Sequence, residues 1–405
     1  MKNVYLISID CLRSDYTGLS ENDKLIMPNL LGLAIKGYAY PNCIVHAPFT
    51  TASHASMLSG LLPFQHGVRH LYNERLSKNI TMIQHDMKDL GYEAIGMVSC
   101  YHMSHIGLEQ GFDYFTFKPS INKDKKGRSL YVPADKLVNR AINRVKLNDN
   151  PKFVFLHFFD AHVNIGDEYE AIYKEELLKI DKEIERLVDS DPDALFVITS
   201  DHGKKWIGEH NFPYLNPRNK GTNPLLCEYK GLNGGHGGEL YDEAMRVPLV
   251  VYNGVREENF PNEIFHSKGI RRLIGREVLI SEFEVEIFDI RYKIERDNAY
   301  IETFSPENLF QGEGIPLIGL RTNEYKFIGY CSPSKKGWIA GPGELYNIVK
   351  DPKEEHDIIE EDDSWKMLFK KIGEIMAIEV KQGEPIEDKE YQDTIKERLE
   401  GMGYI

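Results

Sequence analysis

Only five cysteines stand in the 405 residues, Cys11, Cys43, Cys100, Cys227 and Cys331, with no Cys-x-x-Cys among them. That scarcity excludes a disulfide-dense scaffold and predicts a reducing compartment. No apolar run reaches the length of a membrane span, so no membrane role is expected. The opening MKNVYLISID lacks a secretory layout: its apolar stretch is short and no small-residue cleavage site follows. It reads as a strand, and the expected localisation is cytoplasmic. Basic residues are outnumbered, 49 against 63 acidic, for a net charge of −14, which argues against nucleic acid as a partner. There is no G-x-G-x-x-G after the first strand and no P-loop, which disfavours a dinucleotide-dependent dehydrogenase. Internal repeats and low-complexity linkers are absent too.

What the chain does contain is strand–helix alternation. Five short apolar runs are nearly continuous rather than alternating: Val4–Ile9, Tyr92–Ser99, Phe153–Phe159, Leu195–Ser200 and Val247–Tyr252. Continuous runs of this kind mark strands buried on both faces. Between them lie helical patterns at Thr81–Leu90, at Leu137 to Val145 behind Pro133, and at Glu168–Val188. The expected fold is therefore α/β, a large central sheet covered by helices on both faces. Beyond Asn253 the strand-like pieces NAYIETF, GLRTNEYKFIGY and GELYNIV follow one another without long helices, which predicts a smaller C-terminal antiparallel sheet, closed by a helix from Ser364. The expected division is a catalytic part, 1–290, with a small α+β part, 291–405, packed on it across one extensive interface.

Three core strands run into an aspartate: Asp10, Asp160 and Asp201. Ligands bind beyond the carboxyl ends of strands in open α/β sheets, so three carboxylates are expected on one rim. Two bring a histidine, His162 and His202, and a third, His236, sits among four glycines in NGGHGG. Carboxylates with imidazoles make a divalent-cation site for Mn²⁺, Zn²⁺, Mg²⁺ or Ca²⁺. The plainer alternative is that an aspartate after a strand caps the next helix. Three at once, two beside histidines, are poorly explained that way. The pair His102 and His105 is read as structural, and Cys11 as a small buried residue. The loop from Gly208 to Gly235, just after Trp206, is expected to shape a substrate pocket.

The stretch HAPFTTASHASMLSGLLPFQHG, 46–67, carries more hydroxyls than a helix cap requires. A helix starting near Thr51 puts Thr50 or Thr51 at its positive end, where an oxyanion is favoured. A cation-bound threonine hydroxyl can ionise near neutral pH and attack a tetrahedral phosphorus or sulfur ester.

Taken in order, ISIDCLRSDYTG, TTASHASMLSGLLPFQHGV, GFDYF, TSDHG, HGGELYDEAMRVPLVV, LRTNEYKFI, GELYNIVKDPKEE and LEGMGYI resemble segments of the sulfatase branch of the alkaline phosphatase superfamily over nearly the whole chain. The resemblance implies that Asp10, Asp201 and His202 hold a cation and that Thr50 stands at the nucleophile position. It gives His162 the role of contacting substrate or protonating the leaving group. His236 takes the place of an oxyanion-gripping base or a second-metal histidine, and Asp160 joins only a dinuclear site. The departures are informative. Authentic sulfatases place Cys or Ser at the nucleophile position, followed by x-Pro-Ser-Arg, and oxidise it to formylglycine. Here the run is Thr50-Thr51-Ala52-Ser53-His54, and Cys11 replaces a second aspartate. Threonine cannot give that aldehyde, but is familiar in the superfamily's phosphodiesterases and phosphotransferases. The expectation is a metal-dependent hydrolase of phosphate or phosphonate esters, carrying one or two cations and acting on a small anionic ester, with homo-oligomerisation left open. The alternatives are a sulfuric ester hydrolase working without formylglycine and a non-catalytic anion-binding relative.

Overall fold

The computed structural model of the chain describes residues 1–21, 23–70, 74–100, 103, 106–117, 131–163, 167–206, 236–255, 264–279, 298–304, 316–330, 341–377 and 384–385. Eight strands make the central sheet: β1 (Val4–Ile9), β2 (Tyr38–Ile44), β3 (Glu93–Val98), β4 (Tyr114–Thr116), β5 (Lys152–Phe158), β6 (Leu195–Thr199), β7 (Arg246–Tyr252) and β8 (Phe265–His266). Their spatial order is β4-β3-β5-β1-β6-β7-β2-β8. All run parallel except β7, which is antiparallel to both β6 and β2.

Side-chain alternation explains why the apolar runs are continuous. Val4 and Leu6 of β1 face a layer built with α2 (Thr50–Ser59), α3 (Ile83–Asp89) and α6 (Ile270–Val278). Tyr5, Ile7 and Ile9 face the opposite layer, with α1 (Pro28–Lys36), α4 (Ala134–Val145) and α5 (Asp167–Ser190). Every position of the strand is thus taken out of water, at about 1.5–3 kcal/mol of transfer free energy for each large apolar side chain. The expected helix behind Pro133 is α4, with Pro133 as its N-cap residue. Strand β2 and the short β4 and β8 carry too little apolar signal to be read from sequence. In β2 the residues Tyr38, Ala39, Pro41 and Asn42 are half-buried.

Four further strands, β9 (Asn298–Thr303), β10 (Leu317–Thr322), β11 (Tyr325–Tyr330) and β12 (Gly341–Asn347), pair in sequence as an antiparallel meander. Ala299 and Ile301 on one face complete the central core. Tyr300, Leu320, Phe327 and Leu345 on the other receive Leu368 and Ile372 of α7 (Ser364–Met376). Asp242, just ahead of β7, meets Arg321 Nη2 at 3.0 Å and the ammonium of buried Lys326, which also lies 2.7 Å from Glu354. Removing one partner from a buried ionic cluster of this kind typically costs about 3–5 kcal/mol. The expected boundary near residue 290, the pair His102 and His105, the loop 208–235 and the closing LEGMGYI lie outside the described residues.

Three histidines are fully buried between α2 and the β8–β9 region. His46 Nδ1 donates to Tyr300 O at 2.6 Å, and His66 Nε2 lies 3.0 Å from Ser56 Oγ. Burial, followed by the Lys268 charge, pushes His46 down to about 3, and burial with His46 and Arg69 pushes His66 to about 3. His266 is lowered by burial and by the same neighbours, His46 and Lys268. Unfolded histidines titrate near about 6.5, so the unfolded chain takes up protons first. Stability is complete above that pH and is lost as pH falls toward 3. Thermal unfolding between about pH 7.5 and 5 should show a falling midpoint with proton uptake on unfolding; a flat or rising midpoint contradicts this account.

Candidate active site

The carboxyl ends of β1 and β6 deliver the first two groups. Asp10 extends the ladder of β1 through its N–H to Phe158 O at 2.8 Å, then Cys11 turns the chain in the left-handed region, φ 60°. A non-glycine residue there is uncommon and tends to mark a functional turn. Tyr173 braces the turn by donating to Cys11 O at 2.8 Å. Across the β1–β6 pair, Ser200 Oγ donates to Ile9 O at 2.6 Å and accepts from Leu12 N–H at 3.1 Å, which ties the two aspartate-bearing ends together. Asp201 Oδ1 accepts the His202 N–H at 2.9 Å.

Helix α2 delivers the third group. Its N-cap residue is Phe49, with no side-chain capping bond, so Thr50 stands at the first helical position and does not serve as the cap. Its hydroxyl lies 3.2 Å from Asp10 Oδ2 and 3.3 Å from His202 Nε2 instead. Gly60 ends the helix with φ 74°, a conformation open to glycine at no steric cost. Ser53 Oγ donates to Asp201 O, and His54 Nδ1 donates to Thr50 O at 2.8 Å while its Nε2 accepts from Ser8 Oγ at 2.8 Å. The surplus hydroxyls of the sequence thus divide between the site and the fastening of its helix to the sheet.

The tautomer of His202 settles what converges here. Its Nδ1 lies 2.8 Å from Gly203 O, and a carbonyl only accepts, so the ring proton is on Nδ1. Nε2 therefore turns a lone pair toward Thr50 and toward Asp201 Oδ2, 3.4 Å away. Asp10, Thr50, Asp201 and His202 are all fully buried. One hydroxyl proton is set among two carboxylates and an imidazole lone pair, an arrangement dominated by acceptors. Burial first and the Asp10 charge second push the Asp201 carboxyl up to about 6. Burial acts on Asp10 in the same sense, but the hydrogen bond from His157 and the nearby His162 and His202 outweigh it and hold Asp10 low. The residues fit a divalent cation on the chemistry of the donor set, oxygen and nitrogen atoms in a dry pocket.

The remaining expected residues take two different places. His162 and His236 face one another, Nε2 to Nε2, at 3.1 Å, and the His236 ring stacks on His202 at 4.3 Å between centroids. Cys11 joins them: ligand atoms of Cys11, His162 and His236 lie within 4.8 Å of one another, as do those of Asp10, Cys11 and His202. Burial pushes His162 down to about 3, and burial with His202 and His162 lowers His236. Asp160 belongs to no such group among the described residues. Its Oδ1 accepts the Ala134 N–H at 3.0 Å, at the start of α4, and burial pushes its carboxyl up to about 7. The helix Asp160 meets is the one before its strand, not the next helix that the capping alternative names. Two fully buried histidines that sequence reading did not place in the site also lie here. His157 Nε2 is 3.3 Å from Asp10 Oδ2, and His54 Nδ1 is 3.7 Å from Asp201 Oδ2. The signal for His157 is an imidazole on the apolar face of a core strand.

A family model described as Sulfatase matches residues 2–258. The chain belongs to the sulfatase family. An arylsulfatase of Clostridium perfringens is 33% identical over 142 residues, which is 33% of this chain and 28% of that protein's length. Among solved structures, a 2-O GAG sulfatase superposes with a TM-score of 0.65 at 16% identity, covering 100% of this chain and 94% of the other. A phosphonate monoester hydrolase of Agrobacterium radiobacter gives 0.64 at 14% identity, covering 93% and 95%. The fold is that of the sulfatases and the alkaline phosphatase superfamily, a mixed central sheet with a separate four-stranded antiparallel sheet. No described helix is long and apolar enough to cross a membrane.

Two carboxylates buried within one sulfatase-family site repel when no cation is present. Asp201→Asn, which keeps the Oδ1 acceptor for the His202 N–H, should raise the melting temperature of chelator-treated protein by a few degrees. In added divalent cation the ranking should reverse, with the wild type gaining more. Equal shifts for both proteins in both conditions would show that these carboxylates share no ion.

Proposed function

We propose that this sulfatase-family chain hydrolyses phosphate or phosphonate esters with Thr50 Oγ1 as the nucleophile. The observation that carries the reading is the direction of the Thr50 hydroxyl: it leaves the capping role unfilled and points at Asp10 and His202. Asp10, Asp201, His202 and Thr50 itself would hold a divalent cation, Mn²⁺, Zn²⁺, Ca²⁺ or Mg²⁺. When bound, the cation supplies Lewis-acid charge and lowers the hydroxyl pKa. Thr50 then attacks the phosphorus, its proton passing to a basic neighbour in the site, and the P–O bond to the leaving group breaks as the threonine ester forms. The backbone N–H groups of the first turn of α2 face the developing oxyanion, and His236 offers a ring edge to the same charge. His162 returns a proton to the departing alcohol. Burial leaves this imidazole neutral, so that role draws on the negative charge of the ester, which raises it. Attack by water on the threonine ester, in the reverse sense, completes the turnover.

Phosphorus rather than sulfur follows from the nucleophile. A formylglycine hydrate expels sulfate by collapsing to its aldehyde; threonine has no such exit, and its ester must be displaced by a second attack. Phosphoryl and phosphonyl centres undergo two successive displacements readily. Two carboxylates would balance one divalent cation, and the buried Lys204 ammonium adds positive charge near Asp10 and Cys11. The net positive charge this leaves suits an anionic ester, a diester or phosphonate monoester included. A second reading, sulfuric ester cleavage without formylglycine, rests on the similarity to the clostridial arylsulfatase. A third, anion binding without turnover, rests on Cys11 and His54 at positions where the family resemblance expects aspartate and arginine.

Aryl phosphodiesters, phosphonate monoesters and aryl sulfates assayed side by side separate the three. The phosphorus esters should turn over fastest, and Thr50→Ala should lower that rate at least about a thousandfold with the fold intact. Sulfate preference supports the second reading, and turnover unchanged in Thr50→Ala removes the nucleophile.

A further inference from the structure

The core strand β5 reads KFVFLHF, and period two places Phe153, Phe155 and His157 on the α2 side of the sheet. Phe153 and Phe155 are ordinary members of that apolar layer. His157 is not, since it is fully buried and carries two polar nitrogens. Burying a polar ring in an apolar layer is unfavourable unless partners compensate. The partners lie toward the site. In register, His157 pairs with Ser8, and Phe158 with Ile9, so the imidazole sits directly beneath the turn that carries Asp10. Its Nε2 is 3.3 Å from Asp10 Oδ2, its Nδ1 is 3.7 Å from Cys100 Sγ, and its ring meets His54 edge-on at 5.0 Å. The same Oδ2 receives the Thr50 hydroxyl at 3.2 Å.

We infer that His157 is a positioning residue for the cation site: its buried ring, with Nε2 3.3 Å from Asp10 Oδ2, restricts the rotation of the Asp10 carboxylate so that Asp10 and Thr50 meet the ion together. The inference rests on the reading of Asp10 as a cation ligand. It adds a residue on a strand that the expected ligand set does not include. A carboxylate at the end of a β-strand can still rotate about its last two side-chain bonds. A polar ring anchored on the neighbouring strand and set against the carboxylate reduces that freedom with little backbone motion, since both strands are central and hydrogen-bonded on each side. Partners that orient a ligand in this way typically hold about 10–100-fold of metal affinity. His54 does comparable work on the helix side, through the Thr50 carbonyl, and its proton is committed there.

The test uses the full-length chain, stripped by chelator and titrated with Zn²⁺ and with Mn²⁺ against a competing indicator. His157→Phe keeps the ring size among aromatic neighbours and removes the donor; replacing a buried polar group by an apolar one of similar shape is close to neutral for folding. Folded His157→Phe should bind the ion about 10–100-fold more weakly, and His157→Gln, which keeps a side-chain N–H, should recover part of the loss. At saturating ion, kcat should return most of the way while the ion concentration giving half-activity stays raised. A folded His157→Phe that binds as tightly as wild type overturns the inference and leaves the Thr50 reading standing. A wild type that binds no ion removes that reading as well. Should His157→Phe fail to fold, histidine-labelled wild type and Asp10→Asn decide by NMR. The ring nitrogen resonances of His157 should shift in the variant, and unchanged resonances overturn the inference.

Discussion

Asp10 and Asp201 carry their carboxylates into one water-free pocket, and most of the surrounding structure answers to that fact. Like charges in a low dielectric repel strongly, and neither group can turn to solvent for relief. The two aspartates therefore titrate far apart, one held low by histidine neighbours and the other pushed up to about 6. The arrangement makes sense as a ligand set waiting on positive charge, and the lone pair of His202 Nε2, turned inward by the Gly203 carbonyl, adds a third donor of the same kind.

Everything beneath the pocket keeps these groups aimed. The central sheet supplies Asp10 and Asp201 from adjacent strands, so their separation is set by strand spacing and register. Helix α2 lies across the same face, and a layer of polar side chains stands between helix and sheet where apolar packing would otherwise continue. Ser8, His54 and His157 form that layer, each fully buried, with bonds leading to the Thr50 carbonyl and to Asp10. A polar layer packs less favourably than leucine or phenylalanine, but it fixes orientation, which apolar contacts do not. The small sheet contributes from the other side: Thr303 Oγ1 donates to Gly237 O, one residue beyond His236, so the meander that fills the core also pins the glycine-rich loop.

The threonine changes what this scaffold must do. In a family whose usual nucleophile is an aldehyde hydrate, the first displacement and the release of the enzyme ester are different chemical events. On the proposed reading a threonine nucleophile makes them the same reaction run twice, first by Oγ1 and then by water, at one centre and with one set of donors. On that reading the site needs access for both attacks, and the His162–His236 pair, stacked on His202, stands beside the Thr50 cluster. Asp160 Oδ1 is engaged by the first turn of α4, and Cys11 is the residue grouped with those two histidines.

How far all this was legible depends on which physical signal each residue leaves. Strands buried on both faces announce themselves as unbroken apolar runs, so β1, β3, β5, β6 and β7 stood out to within a residue or so at each end. Edge-proximal β2, half-buried and carrying proline, did not. The strand-end aspartates and Thr50 were legible because chemistry-bearing residues at the ends of apolar runs have a place in any α/β sheet. Asp160 obeys the same pattern and shows its weakness: the motif is identical, and only the direction of its carboxylate, toward Ala134 N–H, separates a cap from a ligand. His157 shows the opposite failure. It lies inside an apolar run, where reading by composition absorbs it into the core, yet counting in twos along FVFLHFF sets it on the same face as Phe153 and Phe155, two register positions from Asp10. A polar residue that breaks the face of a central strand near its carboxyl end has no packing reason to be there, so its neighbours must supply the reason, and in this fold the neighbour is the site.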